Sequence, residues 1–314
     1  MKIGLYSITY LGIWYKGGAL SVPEFIKKAK ELGYSGIEID GKRPHGNPMD
    51  LDAGARKEIK KMTQDAGLDM IGVASNNDFS SPIAEHRESQ LLMVREQIKL
   101  CKDLGGKYVR LFMAWPGVTM VNGLAQYDVA RRRYDEIWRD TTRAEILDFA
   151  GPCFAEAAHI AESEGVVVAL QNHAPVIRHY MDVLEMVKSV NSPAFKCCQD
   201  VPIEPDQSDA WVRQMVLDTG DLQVHAHFGG EFGRGADGKV FQKNLRFGRP
   251  LTNYSAYVKA LKEIGYKGYF AFEFCHPPVN EKRETLGIEY VTKQSALARE
   301  FLKDLLVAEG VFEQ

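Results

Sequence analysis

An α/β fold closed as a (β/α)8 TIM barrel is what this sequence predicts, on three observations. Eight short runs rich in β-branched and aromatic residues alternate with eight long amphipathic stretches along the 314 residues. Such alternation requires parallel pairing, because every crossover carries a helix, and a count of eight favours closure over an open sheet. No Gly-x-Gly-x-x-Gly follows the first strand, which removes the best support for a doubly wound dinucleotide-binding sheet. Residues 1–314 read as one barrel domain.

The first strand is expected over 2–8. It opens the stretch MKIGLYSITYLGIWYKGG, whose single Lys, short apolar run and internal Ser7 and Thr9 fit a strand better than a signal peptide. Its helix, 22–33, starts at Ser21-Val-Pro-Glu24, a serine N-cap with a glutamate three residues on, and stops at Gly33. Strand 36–40 and helix 52–66 follow, with Gly67 as the stop, then strand 68–75 and helix 82–104, with Gly105. Strand 108–115 leads into 117–142, longer than an ordinary strand-to-helix loop. There Arg131, Arg132 and Arg133, between Tyr127 and Tyr134, read as a solvated helix face, with a lid or a subunit contact as alternatives. Helix 143–164 ends at Gly165, before strand 166–173. Helix 176–190, strand 195–201, helix 208–219 and strand 222–228 continue the rhythm. A second long loop, 229–252, precedes helix 254–264, which Gly265 closes before strand 269–275 and helix 288–309. Glu31-Leu-Gly-Tyr-Ser-Gly-Ile-Glu and Glu263-Ile-Gly-Tyr-Lys-Gly-Tyr-Phe echo each other, each a helix end, a glycine turn and a strand start.

Composition narrows the class. At 45% hydrophobic and 26% charged residues the chain is globular rather than disordered. A net charge of −3, from 39 Lys+Arg and 42 Asp+Glu, gives no attraction to phosphate backbones, so no nucleic-acid partner is expected. No apolar run approaches the ~18 residues of a membrane span, so no membrane partner is expected either. Five Cys, without a CxxC pair, make neither a disulfide framework nor a thiolate zinc site, and the expected location is cytoplasmic. Cys197, Cys198 and Cys275 read as small packing residues.

A barrel of this kind works at the C-terminal ends of its strands. Of eight His, His173, His225, His227 and His276 fall at such ends, and His45 follows the second strand. Residues two apart share a face of a strand. Gln171 and His173 therefore share one face of the fifth strand, Cys198 and Asp200 one of the sixth, and His225 and His227 one of the seventh. On the eighth, Phe270, Phe272 and Phe274 form an outward row, which turns Glu273 inward. Adjacent strands lie about 4.8 Å apart, so groups from four consecutive strands can converge on one ion. A divalent cation would balance carboxylates that are costly to bury alone. Oxygen-rich ligation with one imidazole suits Mn²⁺, Mg²⁺, Co²⁺ or Zn²⁺. The competing reading is that Glu273 and Asp200 are satisfied by internal hydrogen bonds or by Lys196 or Arg110.

At these residues, from Gly33-Tyr-Ser-Gly-Ile-Glu-Ile-Asp to Gly268-Tyr-Phe-Ala-Phe-Glu-Phe, the sequence resembles the sugar isomerase/epimerase family of xylose-isomerase-like barrels. The resemblance implies one divalent metal, most often Mn²⁺, held by Gln171, Asp200, His227 and Glu273. It also implies substrate contacts from Arg234 and Glu38. Gln171 stands where the family has Glu, and an amide cannot accept a proton as a carboxylate does. His173, one step nearer the mouth, is then a candidate base with Glu273, or a substrate or loop contact. His225 reads as a contact rather than a ligand, and His276 as a substrate contact or a loop cap. Trp115, Trp14, Tyr10 and Phe112 could form an apolar sugar platform.

The resemblance implies proton abstraction beside a metal-polarised carbonyl of a keto sugar. Because Gln171 removes the usual second acid, the expectation leans to β-elimination, as in the α subunits of C-glycoside deglycosidases acting on 3-keto-glucosides. Isomerisation or epimerisation through an enediolate is the alternative, and a non-catalytic metal or sugar-binding barrel the third. The expected partner is a sugar or glycoside. The chain would pair with itself, or with a small β subunit if it is a deglycosidase. Endonucleases that cut at abasic sites share the barrel, but a net charge of −3 and the loss of a carboxylate at Gln171 disfavour that reading.

Overall fold

The computed structural model describes residues 1–244 and 250–314. In chain order the strands are β1 (Lys2–Tyr6), β2 (Gly36–Asp40), β3 (Asp69–Ala74), β4 (Tyr108–Leu111), β5 (Thr119–Val121), β6 (Leu124–Gln126), β7 (Val167–Gln171), β8 (Phe195–Cys198), β9 (Gln223–Gly229), β10 (Phe232–Arg234), β11 (Val240–Gln242) and β12 (Tyr269–Glu273). The helices are α1 (Val22–Glu31), α2 (Ala53–Asp65), α3 (Ala84–Leu104), α4 (Asp128–Ile137), α5 (Arg143–Glu164), α6 (Tyr180–Val190), α7 (Asp209–Thr219), α8 (Tyr254–Glu263) and α9 (Ile288–Ala308). Eight strands close a parallel barrel in the order β1-β12-β9-β8-β7-β4-β3-β2, the expected (β/α)8 architecture.

Local chemistry accounts for the elements. Ser21 and Glu24 form a reciprocal capping box at α1, and Thr142 and Glu145 form another at α5. Gly33, Gly67, Gly105, Gly165 and Gly265 follow their helices at φ between +68° and +87°, a region closed to most side chains. Helix α6 begins at Tyr180 rather than 176, because Asp182 draws the preceding segment back by accepting from Arg178 N (2.8 Å) and its guanidinium. Strand β1 ends at Tyr6, and Ser7–Tyr10 make a 3-10 turn. There Ser7 Oγ accepts from Asp40 N (2.8 Å) and Thr9 Oγ1 from Phe274 N (3.1 Å), so the polar residues of the first run tie neighbouring strands together.

The two faces of each strand separate as the alternation predicts. Val168, Leu170, Ala226, Phe228, Phe270, Phe272 and Phe274 join the large core between barrel and helices. Ile71, Tyr108, Ala169 and Cys198 plug the barrel floor; Val224, which alternation puts on the outer face with Ala226 and Phe228, packs against them instead, an exception at the start of β9. The floor is closed by apolar side chains, so polar groups inside the barrel lie toward its C-terminal mouth. The 117–142 insertion folds as the β5–β6 hairpin and α4, and Arg131, Arg132 and Arg133 are exposed. The hairpin joins the mouth through Ala125, whose N donates to Ile13 O (2.7 Å). In the 229–252 loop, β10 and β11 form a second hairpin, and residues 245–249 lie outside the described residues. Among the described residues no helix is long and apolar enough to cross a membrane, and all five Cys are free.

Candidate active site

The ends of β7, β8 and β9 bring Gln171, Asp200 and His227 into one buried cluster. His227 Nδ1 lies 3.0 Å from Asp200 Oδ2 and 3.2 Å from Gln171 Nε2, and Gln171 Nε2 also donates to Asp200 Oδ2. Asp200 Oδ1 accepts from His227 N (2.7 Å) and lies 3.6 Å from Cys198 Sγ. The backbone of Asp200 is clamped in turn. Its N donates to Asn172 Oδ1 (2.8 Å), and Asn172 Nδ2 donates to Asp200 O (3.1 Å). Asn172 is itself held by the buried Glu204 (2.6 Å), whose other oxygen accepts from Trp211 Nε1 (2.8 Å). Asp200 follows the last paired residue of β8, so this clamp, not the sheet, fixes it.

Across the lumen, Glu38 Oε2 lies 2.7 Å from His227 Nε2 and 3.3 Å from His225 Nε2. Burial pushes Glu38 up, but the two imidazoles outweigh it and hold the carboxyl well below its usual range. Burial likewise pushes Asp200 up, and His227 and Gln171 bring it down. Burial disfavours charge on His227, yet Glu38 and Asp200 raise its pKa well above that of an ordinary imidazole. Glu273, from β12, is raised by burial, with His227 opposing and Asp200 reinforcing. It makes no hydrogen bond among the described residues. Neither Arg110 nor Lys196 pairs with Asp200 or Glu273 there: Arg110 donates to Ser75 O (3.0 Å) and Tyr6 Oη (3.0 Å).

His173 stands at the mouth. Its Nδ1 donates to Ala174 O (2.5 Å), which leaves Nε2 as the free nitrogen. Burial lowers its pKa to about 4, so the ring is neutral at pH 7. Phe112 (4.8 Å) and Trp115 (5.3 Å) meet it edge to face, and Trp115 stacks on Phe112 (4.8 Å, 13°). Tyr127 links Trp115 to Trp14.

Other expected members lie elsewhere. Arg234 is exposed on β10 and pairs with Glu300 of α9 (2.6 Å), because the β10–β11 hairpin packs on that helix. His276 turns to Glu231 (3.2 Å), which also accepts from Tyr290, and so ties the loop after β12 to the loop after β9. Glu38 and His225 are both 0% exposed and turn to each other and to His227 rather than to the open mouth. Tyr10 is core, against Phe25 and hydrogen-bonded to Ser295 (3.3 Å). Cys198, Asn172, Tyr6 and Arg110 escaped the sequence reading as site members. Cys198 alone carried a usable signal, its shared face with Asp200.

The donor set fits a divalent ion. Ligand atoms about 2.1 Å from a cation and at right angles lie about 3 Å apart, the spacing of His227 Nδ1 from Asp200 and Gln171. Gln171 Oε1 is buried without a hydrogen-bond partner among the described residues, and turning the amide end for end presents it at the same point. Cys198, Asp200 and His227 form one group able to hold a metal, and Glu38, His225 and His227 another.

Comparison with known proteins agrees with this architecture. The chain matches the family described as Xylose isomerase-like TIM barrel over residues 26–298. It is 25% identical over 279 residues to fructoselysine 3-epimerase of Shigella flexneri, covering 84% of this chain and 89% of that protein. The structure superposes on D-psicose 3-epimerase from Clostridium cellulolyticum H10 with D-tagatose at TM-score 0.67 and 18% identity, covering 100% of both chains. It superposes on a 3-keto-D-glucoside 4-epimerase from E. coli at TM-score 0.65 and 18% identity, covering 95% of this chain and 99% of that one. The chain belongs to the xylose isomerase-like TIM barrel family. It is an enzyme.

Proposed function

We propose that this enzyme is a divalent-metal-dependent epimerase that inverts a carbon beside the carbonyl of a ketose or keto sugar. The observation that carries the reading is the meeting of Gln171, Asp200 and His227 at ligand spacing, within the electrostatic reach of the Glu273 carboxyl, which takes no hydrogen bond among the described residues. The likeness to fructoselysine 3-epimerase along 84% of the chain supports epimerisation over other fates of the same carbanion.

Gln171, Asp200, His227 and Glu273 would hold the ion, with Mn²⁺ favoured and Mg²⁺, Co²⁺ or Zn²⁺ as alternatives. When bound it supplies a Lewis acid to the sugar carbonyl. The chain's own groups move the proton. Glu273 takes or returns it at a carboxylate oxygen. His173, with Nδ1 committed to Ala174, offers Nε2 as the second proton-handling atom. Transfer from opposite sides of the planar carbon inverts it. Trp115, braced by Phe112, offers an apolar face to the sugar and excludes water.

Elimination of a β-substituent is the second reading. Gln171 favours it, because its amide cannot return a proton.

The test begins with metal content by elemental mass spectrometry, on wild type beside Asp200→Ala. About one ion per chain is expected in the wild type and none in the variant. Wild type is then incubated in D₂O with fructoselysine, ketohexoses and 3-keto-glucosides. Deuterium at the inverted carbon supports epimerisation. Release of the β-substituent without an epimer selects elimination. No metal after dialysis against Mn²⁺, with no exchange, overturns both.

A further inference from the structure

His227 is held from both sides. Asp200 and Gln171 face Nδ1, and Glu38 faces Nε2 at 2.7 Å. Glu38 reaches this place from the opposite wall. It sits mid-β2, paired with Tyr6 and Gly72, and its side chain crosses the lumen to β9. Gly72 has no room for a side chain, since a Cβ there would lie 2.3 Å from Tyr108 O. Glu38 is 0% exposed, and a carboxylate is buried so completely only where its neighbours compensate the charge. The ring of Tyr6 stacks on His227 at 5.3 Å, which leaves the imidazole little freedom to turn.

We infer that Glu38 is a positioning residue: by accepting the Nε2 proton of His227 it fixes the orientation of the ring and, once an ion takes the place of the Nδ1 proton, holds the tautomer whose Nδ1 faces Gln171 and Asp200. The inference rests on the metal reading above. A metal-binding imidazole is generally oriented and made more basic by a carboxylate on its far nitrogen, and Glu38 is the carboxylate in that place. Its other oxygen, Oε1, is buried without a partner among the described residues, so the two imidazoles are the hydrogen-bond partners Glu38 has there. His225 shares Oε2 and keeps the carboxylate from swinging away.

Two measurements test this. In the first, Mn²⁺ affinity is measured by calorimetry on wild type and Glu38→Gln, which keeps an acceptor oxygen but loses the charge. Binding weaker by about 10–100-fold is expected, with the far-ultraviolet circular dichroism of the metal-free protein unchanged. Equal affinity overturns the inference and leaves the metal reading standing. In the second, wild type labelled with ¹⁵N-histidine is loaded with Zn²⁺, and the tautomer of His227 is read by NMR. A proton on Nε2 with Nδ1 bound is expected. The opposite tautomer overturns the inference, even should Glu38→Gln fail to fold. Wild type that binds neither ion overturns the metal reading and this inference with it.

Discussion

The two halves of the barrel treat buried polar groups differently. In the half from β1 to β4 the carboxylate nearest the mouth and a neighbouring amide are matched by donors and acceptors. Asp40 accepts from Tyr6 Oη (2.7 Å), Lys42 N (3.2 Å) and Asn76 Nδ2 (3.0 Å). Asn77 holds both backbone groups of Phe112, at 2.8 and 3.0 Å. In the half from β7 to β12, acceptors crowd together instead. Asp200 and the Gln171 amide meet at one imidazole, and Glu273 is near enough to feel the charges of His227 and Asp200; Gln171 Oε1 lacks a partner and the Glu273 carboxyl takes no hydrogen bond among the described residues. The contrast teaches that a buried carboxylate matched by donors, as Asp40 is, holds shape, whereas surplus acceptors in a dry interior call for a cation. Glu38 is the member of the first half that serves the second.

The largest effects belong on the acceptor-rich side. Glu273→Gln and His173→Ala are expected to lower turnover by about 10²–10⁴-fold, the usual span for a lost acid or base. His173→Ala should keep its metal, and full activity in that variant would remove His173 from proton transfer. Asn77→Ala probes the other half. Leaving the Phe112 backbone groups unpaired should cost about 1–3 kcal/mol in a denaturant melt, with metal content unchanged. Loss of metal there would erase the distinction between the halves.

Asp182, outside the lumen, supplies a pH control. Burial pushes its carboxyl up, but Arg178 and Arg143 outweigh burial and hold it below its usual value. A folded pKa below the unfolded value of about 3.9 stabilises above that pH and loses the effect as pH falls through the folded pKa. Asp182→Asn should therefore be less stable than wild type at pH 7, by about 1–2 kcal/mol given the solvent around both arginines. The gap should shrink below about pH 4. A gap that stays constant with pH would mean the carboxylate charge contributes nothing. The smallest effect is expected of Arg234→Ala, whose pair with Glu300 is exposed. Its KM and melting temperature should match wild type, and a many-fold rise in KM would bring Arg234 back to the sugar.

Much of this was readable in the chain. Helices α5 and α7 and strand β2 fall within a residue of where the patterns place them, because glycines, capping residues and alternation are local signals. The inward turn of Glu273 followed from the outward row Phe270, Phe272 and Phe274, all 0% exposed. Arg234 misled because proximity along the chain says nothing about which way a hairpin packs. Asn172, between two candidates, went unread because its partner is the backbone of Asp200, 28 residues on.

The sequence by itself determined the barrel, the strand that bears each polar group and the side of that strand it occupies, since period and punctuation are properties of neighbouring residues. Only the tertiary structure decided that Glu38 lies against His227, 189 residues away, rather than against a sugar. Depth within a closed barrel depends on how strands stagger around the ring, and no local pattern carries that stagger.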